Sequence, residues 1–514
     1  MQRTTKRVKS IWLVLTCLPL FVMACATPVV HKSAPSAPTP VVYSLAHGGA
    51  CVTLDEHPPP PYANVRVSRD RYLAHSEPML AENPRNPLNL VGGSKFFTDP
   101  RNYRFQIGYY SSFDGGCTWQ DGGVFPGFSA NETTSDITFA FGLHNDVYAL
   151  VLNTASAVSV AESGVSVLTS HDGGRTFANP VRVFDDPSGK VFSDKPWIAV
   201  DTSAGPHSGD IYVAWSYDTA GLCGYGNYCS QHLGFSRSLD GGKSFSPVRF
   251  VEGQAPFCTN PATGRPAHSI TCDGVLGATP AILPDGSLAV AFQYMDVMNS
   301  NKIPSRLAVV TSPDAGTTWN NPILIATIHD IAGTFPPEKY RNDSLPAFAC
   351  DPRSGQMYIT WSDKGPRDAD ILFATSSDRG RTWTSLPFRV NDDLDNDGVN
   401  QFQPQIAVAP DGVVSISFFD TRVDPRHLNI DVYLAQSTDH GTSFLKNVRV
   451  TTRSWDPAVD APLDGSGQQF IGDYQGLAAD DLFVHPFWND TRTGSQEIFT
   501  AAVPSAQPGQ ENAG

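Results

Sequence analysis

Ser170-His-Asp172-Gly-Gly174-Arg-Thr176-Phe177 decides the reading of this chain, because the same frame occurs six times. The other copies are Ser112-Phe-Asp114-Gly-Gly116-Cys-Thr118-Trp119, Ser238-Leu-Asp240-Gly-Gly242-Lys-Ser244-Phe245 and Ser312-Pro-Asp314-Ala-Gly316-Thr-Thr318-Trp319, then Ser376-Ser-Asp378-Arg-Gly380-Arg-Thr382-Trp383 and Ser437-Thr-Asp439-His-Gly441-Thr-Ser443-Phe444. Each reads Ser-x-Asp-x-Gly-x-Thr/Ser-Trp/Phe. From Asp114 to Asp439 the copies recur every 65 residues on average, which is ample for a four-stranded unit. An alternating stretch such as Ile371–Thr375 precedes the frame and one such as Val181–Val183 follows it, so it is a hairpin turn. Its Asp accepts backbone and hydroxyl hydrogen bonds within the turn. Its Gly supplies a positive φ, and its aromatic returns to the core between neighbouring units. These six aspartates are read as structural, not catalytic.

The segments around each turn share one grammar: an inner strand such as Trp197–Val200, then an aromatic-bearing strand such as Ile211–Trp215, Met357–Trp361 or Val413–Phe419. A further unit without the turn follows Asp439, with strands at Gly476–Ala479, Leu482–Trp488 and Glu497–Val503. Its missing outer strand is supplied by Asn64-Val-Arg-Val67, which matches Asn447-Val-Arg-Val450. The expected fold is an all-β propeller of seven blades over residues 62–503, closed by an N-terminal strand that removes the free sheet edges.

The repeat resembles the Asp-box, or BNR, repeat of the sialidase superfamily, and the resemblance spans nearly all of residues 62–503. It implies a β-propeller and, as one activity found on that scaffold, exo-α-sialidase-type hydrolysis of glycans. Sialidases have six blades, so seven is a departure. A second departure is the absence of the family's early Phe/Tyr-Arg-Ile-Pro string; Lys302-Ile-Pro304 is the nearest match and lacks the arginine.

In such a blade the Asp box lies on one rim, and the inter-blade and second-to-third-strand loops lie on the other, where propeller ligands bind. The inter-blade loops carry Glu132, Asp136, Asp194, Lys195, Tyr340, Arg341, Asp343, Gln403, Asp473 and Tyr474. The other loops carry Asp363, Lys364 and Arg367, Asp420-Thr-Arg422 and Asp490-Thr-Arg492. Sialidases grip the carboxylate of their sugar with three arginines, because guanidinium offers a bidentate fork. The resemblance implies that role for Arg341, Arg422 and Arg492. The competing reading is that each Arg stiffens its own loop by pairing with the neighbouring Asp. For catalysis the candidates are Asp473, Tyr474, Asp194 and Asp136. A Tyr nucleophile (Tyr474 or Tyr340) would need a carboxylate partner such as Glu132 or Glu338 and an Asp acid, whereas an ordinary glycosidase would use two carboxylates such as Asp194 and Asp473. A non-catalytic propeller binding glycan or protein, and a polysaccharide lyase on the same scaffold, are the alternatives to a hydrolase.

Composition narrows the setting. Gly (43) and Pro (41) are abundant and charged residues are only 17%, which excludes helical bundles. A net charge of −15 repels phosphate backbones and argues against nucleic acid as a partner. Arg3, Lys6, Arg7 and Lys9 precede a 14-residue apolar run, Ile11 to Ala24, that ends at Cys25. That run is short for a membrane span, and Val22-Met23-Ala24-Cys25 resembles a bacterial lipobox, so residues 1–24 read as a lipoprotein signal and Cys25 as the acylated residue. Residues 25–61, with eight prolines, read as a tether, and 504–514 as a disordered tail. The expected protein is a monomer exported to the bacterial periplasm or cell surface, touching the membrane only through its lipid. Cys223 with Cys229, and Cys258 with Cys272, are expected to staple loops, as suits an oxidising compartment. No cofactor is expected; Asp393, Asp395 and Asp397 form a weak calcium candidate, and Pro404 at the twelfth position excludes an EF-hand loop.

Overall fold

The computed structural model describes residues 62–510 except 130–131, 155–162, 221–227, 252, 254, 261–264, 267–273, 296–303 and 465. The signal segment with Cys25 and the tether 25–61 lie outside the described residues. Seven antiparallel sheets form a ring in chain order. Blade 1 comprises Leu73–Glu82, Leu90–Asp99, Arg104–Ser112 and Gln120–Val124; blade 2 comprises Thr133–Phe141, Val147–Thr154, Ser163–Ser170 and Val181–Asp186. Blades 3 to 6 begin with the inner strands Val191–Val200, Val275–Ile282, Ala347–Cys350 and Gln401–Val408, and repeat the same up-and-down order.

Blade 7 holds Gly476–Ala479, Phe483–Asp490 and Glu497–Thr500, and its fourth strand is Val65–Arg66 from the other end of the chain. Val65 pairs with Thr500 and Arg66 with Phe499, as expected from the sequence. Glu497 secures the closure: Arg66 Nη2 lies 2.5 Å from its Oε1, and Ser68 Oγ donates to its Oε2. The tail expected from residue 504 onward is instead held as far as Gln510. Val503–Pro504 pairs with Phe483–Val484, Ser505 N–H donates to the Leu482 carbonyl, Ala506 is buried, and Thr438 Oγ1 donates to the Gln510 carbonyl. These contacts cover an edge that would otherwise be open.

Each box behaves as its chemistry requires. In blade 2, Thr176 N–H and Oγ1 donate to the two oxygens of Asp172, while Ser170 Oγ donates to Asp172 and accepts from Gly174 N–H. The other five boxes repeat this pattern. The box aromatic packs on the preceding blade: Trp119 on Phe487, Phe177 on Tyr109, Trp319 on Phe235 and Phe444 on Phe373. Glycine is demanded twice over at Gly316. Its φ is +80°, and a Cβ there would stand 2.4 Å from the Phe235 ring. Inter-blade packing is completed by the fully buried Trp215, Trp361 and Trp488 on second strands.

Cys117 and Cys258 are disulfide-bonded, and Cys350 is free. The expected pairings of Cys223 with Cys229 and of Cys258 with Cys272 involve side chains outside the described residues. No helix among the described residues is long and apolar enough to cross a membrane.

Candidate functional site

The innermost strands carry a local device that builds the site. In five blades the ladder slips by one residue near the top of the inner strand, and the slipped residue is left-handed: Glu77, Asp136, Lys195, Gly277 and Gln403, with φ between +47° and +66°. Such bulges re-aim side chains, and a left-handed non-glycine costs about 1–3 kcal/mol that surrounding contacts must outweigh. Pro78, Pro196 and Pro404 follow three of these residues and withhold the N–H that would continue the ladder. The result is that Glu77, Asp136 and Lys195 converge on the ring's centre.

There they line a pocket of about 310 Å³ with Lys95, Tyr103, Asp194, Arg341, Asp343 and Asp473. Five carboxylates and three cations share this space. Asp473 is the hub: Arg341 grips it through Nη2 at 2.5 Å and Nε at 3.0 Å, and Lys195 Nζ lies 2.7 Å from Oδ2. Lys195 also reaches Glu77 and Asp136, each at 3.3 Å, and Lys95 Nζ sits 2.6 Å from Glu77. The cations rest on aromatic faces, Lys95 over Phe105 and Phe470, and Arg341 over Phe470.

This network divides the carboxyl groups. Burial pushes the acidity of Asp473 toward neutrality, but Arg341 and Lys195 outweigh it and hold the group well below the usual carboxylate range. Asp136 is also lowered, burial being outweighed by Lys195 and Lys95. Asp194 goes the other way, raised to about 6 by burial and by Asp136, Asp473 and Glu77, against the pull of Lys195. Asp343 is raised to about 7 by burial and Asp473. Its side chain nevertheless opens to solvent within the recess, so water screens part of that rise.

The structure thus brings Asp136, Asp194, Arg341 and Asp473 together. Tyr474 stands behind them, its hydroxyl donating to Asp136 Oδ1 at 3.1 Å, its ring in the core and its proton held more tightly than usual by burial. Tyr340 is fully buried in another core cluster, and Glu132 is taken by Arg182 and the Ser129 amide.

The expected arginine triad does not form. Arg422 folds back onto Asp420 and reaches Asp392, and Arg492 folds back onto Asp490. Asp420 and Asp490 are fully buried at the loop base, and a buried carboxylate captures the nearest guanidinium. Nor do the three aspartates of the calcium candidate gather. Asp393 accepts from Asn391 and Gln401, Asp397 caps the Val399 amide, and Asp395 is largely exposed. No group of three or more His, Cys, Asp or Glu side chains among the described residues is placed to hold a metal.

Glu77 and Lys95 are not among the residues expected from the sequence, and Lys195 and Asp343 are expected on this rim without a role. Glu77 and Lys95 sit inside strands whose alternation reads as core. The available signal was the x-Pro step shared by Glu77-Pro78, Lys195-Pro196 and Gln403-Pro404.

No protein-family model matches the chain, and no curated protein sequence matches it. Solved structures with a similar fold include a protein of unknown function from Dyadobacter fermentans, 14% identical with a TM-score of 0.46 over 86% of this chain and 98% of that one. An ulvan lyase of polysaccharide lyase family PL25 is 14% identical with a TM-score of 0.44 over 72% and 80% of the two chains. A sialidase of Streptococcus pneumoniae is 12% identical with a TM-score of 0.39 over 86% and 70%. No residue role follows from likeness at this level.

Proposed function

We propose that this propeller is a glycan-acting enzyme whose central pocket cleaves a glycosidic bond by acid–base chemistry, with Asp194 as the general acid. One observation carries the reading. Asp194, raised to about 6, shares a small pocket with Asp473, which two cations hold ionised. Cleavage of an acetal needs that division, a carboxyl that can donate a proton beside a carboxylate that stabilises an oxocarbenium-like ring. Asp136 and Asp473 supply the negative charge, while Lys195 and Arg341 fix their orientation. Because the Arg341 fork is closed on Asp473 and the other two arginines serve their loops, a sugar bound through hydroxyl groups suits this pocket better than a sialic-acid carboxylate. A glycosidase acting on such a sugar, rather than an exo-sialidase, is the specific form.

We also propose export and acylation at Cys25, supported by the basic start, the apolar run and the Ala24-Cys25 step. The spacer through residue 61 would hold the propeller off the membrane. A clickable fatty-acid analogue should label the parent and not Cys25→Ser; label retained in that variant removes the anchor.

The catalytic test is turnover on a panel of chromogenic glycosides. Asp194→Asn should lower kcat by about two to four decades, and the alkaline limb of the parent's kcat/KM profile should lie near 6, the value for Asp194. Absence of turnover by the parent across neutral and acidic glycosides would sink the hydrolase reading and leave a binding propeller.

A further inference from the structure

The second-to-third-strand loops of blades 5, 6 and 7 begin alike and end differently. In blades 6 and 7 the loop arginine returns to the aspartate two residues before it. In blade 5 the loop runs Asp363-Lys-Gly-Pro-Arg367-Asp368. Asp363 is already occupied: it accepts from the Trp361 indole at 3.0 Å and the His329 amide at 3.1 Å, and His329 Nδ1 lies 3.3 Å away. Arg367 stands four residues after Asp363, not two, and does not fold back onto it. Neither its guanidinium nor the Lys364 ammonium has a hydrogen bond or ion pair among the described residues, and both are exposed.

Both residues line a separate cavity of about 280 Å³ on the same rim as the central pocket. Phe335 and Pro336 also line it, with the Phe335 ring held edge-on by Tyr340 and Phe402. Asp368 lines the cavity and is only 5% exposed. One of its oxygens accepts the Gly398 amide at 2.8 Å, and the other has no partner. That second oxygen is itself buried against Gly365, so Asp368 holds the loop rather than the ligand.

We propose that this cavity is a second saccharide subsite, specific for a negatively charged sugar unit. Phe335 and Pro336 offer an apolar face to the C–H side of a pyranose ring. Arg367 and Lys364 take a carboxylate or sulfate ester. The central pocket is poorly suited to that anion, because its three cations are committed to internal carboxylates. The inference rests on the carbohydrate reading of this rim and adds where on the glycan the charge would lie.

The experiment is titration calorimetry of the full chain with an oligogalacturonate, its neutral methyl ester and a sulfated galactose oligomer. The two anionic probes distinguish carboxylate from sulfate. At least one should bind about ten-fold or more tightly than the neutral ester, with affinity falling as salt rises. Lys364→Ala with Arg367→Ala should abolish that preference, and Arg422→Ala should leave it intact. Both loop residues are exposed, so the double variant should melt with the parent. Equal binding of charged and neutral oligomers, or a double variant that keeps the preference, overturns the subsite. A preference that depends on both cations, in a protein without glycosidase turnover, upholds the subsite while the hydrolase reading fails.

Discussion

The two rims of this propeller use the same residue in opposite ways. On one rim Asp172, Asp240, Asp314, Asp378 and Asp439 sit in hairpin turns, and each has its acidity strengthened, Asp240 to about 2. Hydroxyl and amide donors of the turn surround each carboxylate and favour its charged form. On the other rim the aspartates face one another across a pocket with too few donors for all of them, and their acidities spread apart. Asp473 takes two of the three cations, and Asp194 is left to hold its proton. A carboxylate satisfied by its own turn stabilises a fold. One that competes with others for counter-ions acquires a proton equilibrium near neutrality, where acid–base chemistry operates.

The largest effect should come from removing the hub. Asp473→Ala leaves Lys195 and Arg341 without their principal acceptor in a buried site, and stability should fall by about 3–5 kcal/mol in chemical denaturation. Adding Arg341→Met should recover part of the loss, since the guanidinium that has lost its bidentate acceptor goes with it. A single variant that unfolds like the parent would mean the pocket is wetter than its geometry indicates. Next in size is Gly316→Ala on the box rim. The left-handed φ and the 2.4 Å approach to Phe235 both oppose the added methyl, and about 2–4 kcal/mol should be lost. A loss of that size from one methyl would identify the box as a packing element as much as a hydrogen-bonded turn.

These rims were unequally legible in the sequence. The box rim is local: Ser, Asp, Gly, Thr/Ser and the aromatic lie within eight residues, so their mutual geometry follows from their spacing. Ring closure was legible for a similar reason, because Asn64-Val-Arg-Val67 repeats the wording of other fourth strands. The mouth is assembled from residues as distant as Glu77 and Asp473. Asp136, Asp194, Arg341 and Asp473 could be named because inter-blade loops are polar and face the mouth. Which arginine enters could not, since capture of Arg422 and Arg492 depends on how deeply Asp420 and Asp490 are buried. Glu77 and Lys95 were hidden by strand alternation, which fails where a bulge turns the strand over.

A smaller effect separates the rims by the sign of their pH dependence. Asp194 has its folded pKa raised, so the native state holds an extra proton between about pH 4 and 6 and stability declines as pH rises through that window. Asp194→Asn removes the decline. The variant should match the parent near pH 4 and exceed it by about 1–2 kcal/mol at pH 8, while losing turnover. Parallel melting curves at both pH values would show that Asp194 is not held protonated, and the general-acid assignment would go with it.

The smallest effect belongs to a single box and has the opposite slope. Asp240 has its folded pKa lowered to about 2 by Ser244, first through its hydroxyl and then through its amide. Its contribution is therefore complete above the unfolded carboxylate range and disappears as pH falls from about 4 toward 2. The side chain is exposed, so solvent screens much of the charge, and Asp240→Ala should cost about 1 kcal/mol at pH 7, comparable to losing a capping side chain. Asp240→Asn keeps an acceptor for one of the two Ser244 donors and should cost less. Parent and variants should draw together as pH falls to 2, where about half of the Asp240 carboxyl is protonated. A parent that gained stability on acidification through this range would contradict the structural role of the box. The same scan applied to Asp194→Asn would then decide whether the two rims differ in kind or only in depth.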